Sequence, residues 1–418
     1  MRKLEEHRTI LREIADLAFS YGYDNSSIDF SKAANPDDIP KKEFIHACHE
    51  GYKLAQHKLI DEVIFYQELE LKKKPKLKEA RRERNKELEE SIFKDLKIIE
   101  QRLNTLSHIA DGIAWQLIGG QIHIAKRFFL QEKGQKRLKE SNIEVAEEIN
   151  QDPDNFALIS DITNSIQIGD LLVVSKGVIG MMELKQGKVN EQISEFLENL
   201  EEQNKTIEDV DIQEDFDKKT AKQLKRVVRQ KERMRQVTDL IKNDEGPDPN
   251  TGKHLKINTP VYNTEYFHEN LEKMHQKLEN KIWAYDVIEG CIHIGIYKGK
   301  GLAMAPFAIK KIISNDTDNF IIVNWMSIVS NISEPIFAKP LDPNFIIDIL
   351  TDKVKVIFGI NFDMVIELFN KLGLKSEWIS EKNTMKLKQK HGSQIIFELN
   401  KRAIKMNTEI RKYILVEA

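Results

Sequence analysis

One long helix is the feature that most constrains how this chain can fold. Apolar residues recur at spacings of three and four between Leu88 and Leu117, which is the stripe that one face of a helix presents. The stripe ends at Gly119-Gly120, where glycine suits the left-handed backbone that closes many helices. We therefore predict a single helix over residues 85–118, linking the N-terminal region to the residues that follow.

The residues before this stripe also read as helix. Residues 1–100 have few glycines and are rich in Lys, Glu, Leu and Ile, with Pro75 expected to interrupt the pattern once. A helical region of this kind often has no role beyond packing or dimerisation, and this explanation applies to most of residues 1–100.

Composition excludes several classes of protein. The formal net charge of the 418 residues is -3, so a binder that coats nucleic acid with uniform positive charge is not expected. Cys48 and Cys291 lie too far apart in sequence for a cysteine zinc site, and a reducing cytoplasm is the expected compartment. The N-terminus is charged and no apolar run reaches membrane-spanning length, so we expect that the chain is not exported and does not insert into a membrane.

Beyond residue 156 the sequence changes to short β-type runs, interrupted by a stretch of segregated charge. Residues 190–217 hold eleven acids and one base, and residues 218–235 hold nine bases and one acid. Solvated helix faces or mobile insertions are the ordinary explanation of such blocks. We predict an α/β protein in three regions: helical 1–100, a core at 101–300 with a charged insertion at 190–245, and an α+β domain at 301–418. Within the last, "VKVIFGI" should be a strand and Asn361–Leu372 a helix ended by Gly373.

The stretch "SIQIGDLLVVSKGVIGMMELKQG" has the pattern of a β-hairpin with acids at its open end. Leu171–Val174 should pair with Val178–Lys185, and a period of two places Glu183 and Lys185 on one face. A two-residue Lys176-Gly177 loop would set Asp170 opposite Glu183, whereas a three-residue closure with a bulge would shift the pairing by one.

Two carboxylates directly opposite each other destabilise a strand pair unless something neutralises them. A hard divalent cation such as Mg²⁺ or Mn²⁺ would do so through oxygen ligands from Asp170 and Glu183. Lys185 would point beside this metal, where an ammonium can hold a phosphate oxygen or orient the attacking water. Such a set suits phosphodiester hydrolysis, while the plain alternative is an edge strand kept soluble by charge.

Asp170, Glu183 and Lys185 in "IGDLLVVSKGVIGMMELKQG" resemble the D…(D/E)-x-K signature of the PD-(D/E)XK nuclease superfamily, with Gly169 in the place of the usual proline. This resemblance covers residues from about 100 to 300 and implies a restriction-endonuclease-like fold, a central mixed sheet flanked by helices. It implies that Asp170 and Glu183 bind Mg²⁺ and that Lys185 is the catalytic lysine.

The superfamily commonly adds an acid from a helix before the hairpin and a polar residue from the helix after it. Asp111 is the candidate for that acid and would be a third metal ligand, and Glu147 is the alternative candidate. Asp161 is expected to cap a turn, and it is close enough in sequence to be a further metal ligand. Gln223 is the candidate polar residue. The same basic helix carries the expected nucleic-acid contacts, which are Lys222, Arg226, Gln230 and Arg233, beside an apolar side with Leu224 and Val228.

These patterns predict a Mg²⁺- or Mn²⁺-dependent nuclease acting on nucleic acid, with DNA preferred, in bacterial defence or restriction. One centre cuts one strand, so duplex cleavage predicts a homodimer, for which helix 85–118 offers a surface. The acidic block 190–217 could shield the basic helix until a regulatory partner protein displaces it. The alternative is a catalytically inactive member of the same fold that binds nucleic acid or a partner protein.

Overall fold

The computed structural model describes residues 1–29, 40–119, 137–166, 169–184, 188–202, 216–243, 245–247, 252, 254–256, 267–329, 334–391 and 398–406. They form a protein of mixed helix and strand that divides into two compact units. Unit 1 is Met1–Thr259 with Ser333–Ala338, and unit 2 is Pro260–Ile332 with Lys339–Ala418. Within these described ranges, no helix is both long enough and apolar enough to cross a membrane.

Unit 1 begins with a helical layer. Its helices are α1 (Leu4–Phe19), α2 (Tyr21–Asn25), α3 (Lys41–Arg82) and α4 (Lys86–Leu117). Helices α3 and α4 run antiparallel, because contacts join Tyr52 to Gln116 at one end and Arg81 to Glu89 at the other. The predicted long helix is confirmed: the Asn85 side chain caps its start, and Gly119, at φ +65°, follows its end.

Pro75 does not interrupt the helical pattern as expected, since α3 continues through it to Arg82. Proline inside a helix removes one backbone hydrogen bond and costs about 3 kcal/mol. The packing of α3 against α4 outweighs that cost, and the Lys73–Asp95 ion pair at 2.5 Å joins the two helices close to the proline.

A three-stranded antiparallel sheet packs beside these helices. It follows α5 (Glu140–Ile149) and consists of β1 (Asn155–Ile159), β2 (Leu171–Ser175) and β3 (Val178–Met182) in the order β1-β2-β3. Gln56 of α3 pins β1: its Nε2 donates to the Ala157 carbonyl at 2.9 Å, and its Oε1 accepts from the Ile159 amide at 3.0 Å. The buried Gln56 amide thus satisfies backbone groups on the open edge of β1, which attaches the sheet to the helical layer.

The charged stretch is largely helical where it is described. Its elements are α6 (Lys188–Glu202), α7 (Lys218–Asn243), β4 (Glu245–Pro247) and β5 (His254–Lys256), and the two short strands pair antiparallel. Ile193 and Leu197 of α6 pack against Leu224 and Val227 of α7. The buried apolar side of α7 therefore includes Val227, while the expected Val228 lies at its margin.

Unit 2 is built on a four-stranded antiparallel sheet in the order β6-β7-β9-β8. Its elements are α8 (His268–Lys277), β6 (Trp283–Ile288), β7 (Ile292–Lys298), α9 (Ala305–Ile313), β8 (Phe320–Asn324), α10 (Trp325–Val329), α11 (Pro343–Leu350), β9 (Val354–Asn361), α12 (Phe362–Lys371), β10 (Ser376–Trp378), α13 (Glu381–His391), β11 (Glu398–Leu399) and β12 (Arg402–Met406). Gly359 lets α9 lie close on the sheet, because a Cβ there would stand 2.2 Å from Cδ1 of Ile313.

The predicted strand and helix in this unit are confirmed as β9 and α12. The Asn361 side chain accepts from the Met364 amide at 3.2 Å and caps α12, and Gly373 follows the helix at φ +83°.

The three expected regions, 1–100, 101–300 and 301–418, stay predictions beside the two compact units. Helix α4 spans residue 100, and β7 and α9, on either side of residue 300, pack together. One expectation about the sheet is corrected. The expected mixed sheet is not seen among the described strands, which pair antiparallel throughout. Several of these pairs are joined by short turns, and short turns connect only antiparallel neighbours.

Candidate active site

The hairpin closes through a two-residue loop, as the preferred register predicted. Ser175 pairs with Val178 across Lys176-Gly177, and the ladder runs to the Leu171–Met182 pair. Both loop residues have positive φ, 50° and 78°, which is the backbone of a type I′ turn. The paired ladder ends there: the Asp170 amide donates to the Met182 carbonyl at 2.8 Å, and Glu183 follows directly after β3 at the open end of the hairpin. The predicted pairing of Asp170 directly opposite Glu183 is not part of the ladder.

Asp170 is buried, with 6% of its surface exposed, and its carboxylate has three donors. Lys139 Nζ donates to Oδ1 at 2.8 Å, Asn142 Nδ2 donates to the same oxygen at 3.3 Å, and the Leu184 amide donates to Oδ2 at 2.8 Å. Lys139 and Asn142 belong to the start of α5, so the Asp170 side chain ties this helix to both strands of the hairpin.

Asn142 brings a second acid to the same point. Its Nδ2 also donates to Oδ2 of Asp161 at 2.9 Å, so one amide group holds an oxygen from each of the two carboxylates. Asp161 lies in the 3-10 turn Ser160–Ile162 that follows β1. The reserve ligand of the sequence analysis is therefore placed beside Asp170.

Glu183 follows β3 and is half-buried. The hydrogen bond from Lys139 to Asp170 raises the pKa of the Lys139 ammonium, and the charges of Asp170, Asp161 and Glu183 raise it further. Three carboxylates thus act on one ammonium group at the open end of the hairpin. Lys185, the predicted catalytic lysine, lies outside the described residues.

Asp111, the expected third metal ligand, holds a loop. Its buried Oδ1 accepts from the Asn164 amide at 2.9 Å, the Ser165 amide at 2.8 Å and the Ser165 hydroxyl at 2.7 Å. Burial raises the pKa of Asp111, while those hydrogen bonds and nearby His108 act against the rise. Its contacts therefore fix the segment that leads into Asp170. The rival acid, Glu147, is exposed on α5.

Helix α7 carries the five polar residues assigned to nucleic acid or catalysis. Lys222 and Arg226 are exposed, and Gln230 and Arg233 are half-buried. Gln223 donates from Nε2 to Asn190 Oδ1 at 3.3 Å, so its contact is with α6 and not with the hairpin acids. Helix α6 covers the apolar side of α7 and leaves Lys222 and Arg226 open to solvent.

Asp161 and Asp170 suit a magnesium ion better than a metal that needs three or four protein ligands. Over the part of the chain that is described, no three His, Cys, Asp or Glu side chains are grouped closely enough to hold a metal ion. Mg²⁺, however, keeps several of its waters and is commonly bound by one or two carboxylates together with substrate phosphates. Asp161 and Asp170, held at one amide group, supply the hard oxygens for such a site.

Sequence reasoning did not find Lys139 and Asn142. The signal available was weak: polar residues in "KESN", at the start of the helix preceding the hairpin. Comparison with protein-family models, with curated proteins and with solved structures finds no match for this chain.

Proposed function

We propose that this chain is a metal-dependent nuclease that hydrolyses phosphodiester bonds, with DNA as its substrate. The supporting observation is that Asp170 pairs with Lys139 and shares the Asn142 amide group with Asp161, beside Glu183, whose charge also raises the pKa of Lys139. Carboxylates that attract the Lys139 ammonium group carry the negative charge that a divalent cation requires.

Asp170 and Glu183, with Asp161 in support, would hold Mg²⁺ or Mn²⁺. Such an ion supplies a nucleophile at neutral pH and neutralises charge on the phosphoryl oxygens. Lys139 supports the same chemistry from the protein side, since its ammonium, with a side chain 56% exposed, can turn from Asp170 toward an incoming phosphate. Lys185 keeps its proposed role as catalytic lysine through the resemblance to the PD-(D/E)XK superfamily.

Helix α7 supplies a surface for the nucleic-acid backbone. Lys222 and Arg226 are exposed four residues apart, so they lie on one side of the helix and can contact neighbouring phosphates. Contacts of this kind carry no base specificity, and they weaken as salt concentration rises. The proposed substrate is therefore recognised through its phosphates.

The remaining parts of the proposal are a restriction-endonuclease-like core, a homodimer and a role in bacterial defence in the cytoplasm. The order α5-β1-β2-β3 followed by helices agrees with a sheet flanked by helices. Leu88 and Phe93, 44% and 48% exposed on the first half of α4, are apolar side chains that a dimer contact on this helix would bury.

Cleavage of plasmid and single-stranded DNA, with Mg²⁺ or with EDTA, tests this function. The wild-type chain should cut with Mg²⁺ and not with EDTA, and Glu183→Gln should lose the Mg²⁺-dependent cleavage. Glu377→Gln is the matched control, because it removes an exposed strand glutamate in unit 2. No cleavage by the wild-type chain, or equal cleavage by Glu183→Gln, would contradict the proposal.

A second function is favoured by one observation: Asp170 already has three donors, as a purely structural acid would. In that case the chain binds nucleic acid or a partner protein without cutting. Glu183→Ala separates the two functions, because a nuclease loses Mg²⁺-dependent cleavage, whereas a binding protein never cuts and keeps its affinity.

A further inference from the structure

Three large apolar side chains of unit 2 lie in solvent near one end of its main sheet: Trp283, Met304 and Phe307. They are 50%, 62% and 72% exposed. Trp283 begins β6, an edge strand of the four-stranded sheet, and the other two lie at the start of α9. Within the described part of the chain, neither aromatic ring contacts another aromatic ring. Both rings therefore leave part of their surface open to a ligand.

A close backbone contact brings the start of α9 to the Trp283 end of β6. The 3-10 turn Gly299–Ala303 leads from β7 into α9. A Cβ on Gly301 would stand 2.4 Å from the carbonyl oxygen of Ile282, so glycine is what lets this turn lie against the residue before Trp283. The Met304 amide donates to the Gly301 carbonyl at 3.0 Å. Trp283 and Met304 therefore lie on either side of one contact.

The two aromatic rings stand at different heights above the sheet. Trp283 pairs with Tyr297, and paired residues of antiparallel strands point to the same face, which is the face that α9 covers. Ala305 and Ile309 belong to the buried side of α9, and Phe307, about half a turn from each, points away from the sheet. A helix with its side chains is about 10–12 Å across. The surface is therefore a step of about this height.

The charge around this step is positive. Residues 290–315 hold four lysines and no acid. Three of these lysines, Lys300, Lys310 and Lys311, are exposed, and none of the three makes an ion pair with a described residue. Lys311 lies one turn after Phe307 on the same side of α9. A ligand of this surface should therefore be negatively charged.

We propose that the step formed by Trp283, Met304, Phe307 and these three lysines binds single-stranded nucleic acid. Bases stack on aromatic side chains, and lysines contact the phosphates that join them. A flexible single strand can follow a step, whereas a flat anionic lipid surface that reaches Phe307 stays about a helix diameter away from Trp283. The step shares no residue with the hairpin or with α7, so it stands whether or not the hairpin acids cut nucleic acid.

Fluorescence anisotropy of a labelled oligothymidylate, titrated with the full chain in EDTA, tests the proposal. EDTA prevents metal-dependent cleavage, so the titration measures binding alone. The wild-type chain should bind saturably, and Phe307→Leu should weaken binding at least about fivefold, the factor that 1 kcal/mol represents. Leucine keeps an apolar side chain and removes the ring on which a base stacks.

Leu372→Ala is the matched control, because it removes an exposed apolar side chain at the end of α12 and should leave binding unchanged. Tryptophan fluorescence gives a second readout. Of the four tryptophans, all of them in the described ranges, only Trp283 is exposed, so oligothymidylate should quench the wild-type chain and Trp283→Leu should lose that quenching.

Oligothymidylate that does not bind the wild-type chain, or that binds Phe307→Leu equally well, would overturn the proposal. Sedimentation with vesicles of phosphatidylserine and phosphatidylcholine separates the lipid alternative. The wild-type chain should stay in the supernatant. A chain that sediments with the vesicles and does not bind oligothymidylate would make this surface a lipid contact.

Discussion

Replacement of Asp170 by asparagine tests the contacts that hold the hairpin to α5. An amide keeps one acceptor oxygen, so it cannot serve both the Leu184 amide on one side and Lys139 with Asn142 on the other. If the oxygen stays with Lys139 and Asn142, the new NH₂ group faces the Leu184 N–H, and two donors meet.

The free-energy cost follows from these contacts. A hydrogen bond to a charged acceptor contributes about 1.5 to 3 kcal/mol, and the Leu184 amide loses one of this kind. The Lys139 ion pair contributes at most about 1 kcal/mol, because an exposed lysine is screened by water. Together they give about 3 kcal/mol, which lowers the Tm of a unit of this size by about 6 to 12 °C.

Differential scanning calorimetry of Asp170→Asn against the wild-type chain, without divalent cation, measures this shift. Lys139→Met is the control, with an expected loss of about 1 kcal/mol or less, because only the screened ion pair is removed. If Asp170→Asn unfolded at the wild-type temperature, the Leu184 and Lys139 contacts would contribute nothing and the reasoning would be refuted.

Three further predictions concern stability. Burial, with the charges of Arg102, Arg2 and Arg8, lowers the pKa of His7 to about 3, against about 6.5 in the unfolded chain. As the pH falls, the unfolded chain therefore binds this proton before the folded chain does. The free energy of unfolding, measured by urea titration, should fall by about 2 kcal/mol between pH 7 and pH 5. His7→Gln should lose that part of the pH dependence, and an unchanged dependence would exclude His7 as its source. Pro75→Ala should raise the urea midpoint of unit 1 by restoring one helical hydrogen bond in α3, with a gain of up to about 3 kcal/mol, and a lower midpoint would show that the proline is needed there. Gly359→Ala should destabilise unit 2 by about 1 to 3 kcal/mol, because its Cβ would stand 2.2 Å from Ile313, and a neutral effect would mean that α9 can shift freely.

The elements with strong local signals could be predicted from sequence. The stripe of α4, the helix α12 ended by Gly373 and the Lys176-Gly177 loop each depend on a few neighbouring residues, and each is found as expected. The predicted interruption of the helix at Pro75 was wrong, because α3 is supported there by a contact with a different helix, the ion pair of Lys73 with Asp95 of α4.

The candidate site was harder to predict because its geometry depends on contacts between distant segments. The two-residue loop fixes the register of the hairpin as far as Leu171 and Met182, and the predicted pair of Asp170 and Glu183 lies beyond that ladder. Lys139 and Asn142 reach Asp170 because of the position at which α5 packs, and the sequence around α5 does not predict that position. Asp111 shows the same limit: an acid before the hairpin was expected at the metal, and its described contacts lie with the Asn164–Ser165 backbone.

Counting the manganese ions bound per chain tests the central claim most directly. Electron paramagnetic resonance of Mn²⁺ mixed with the purified chain should show one bound ion that Mg²⁺ displaces, and Glu183→Gln should lose this ion while Glu377→Gln retains it. A wild-type chain that binds no Mn²⁺, or a Glu183→Gln chain that binds it equally well, would contradict a metal site at the open end of the hairpin.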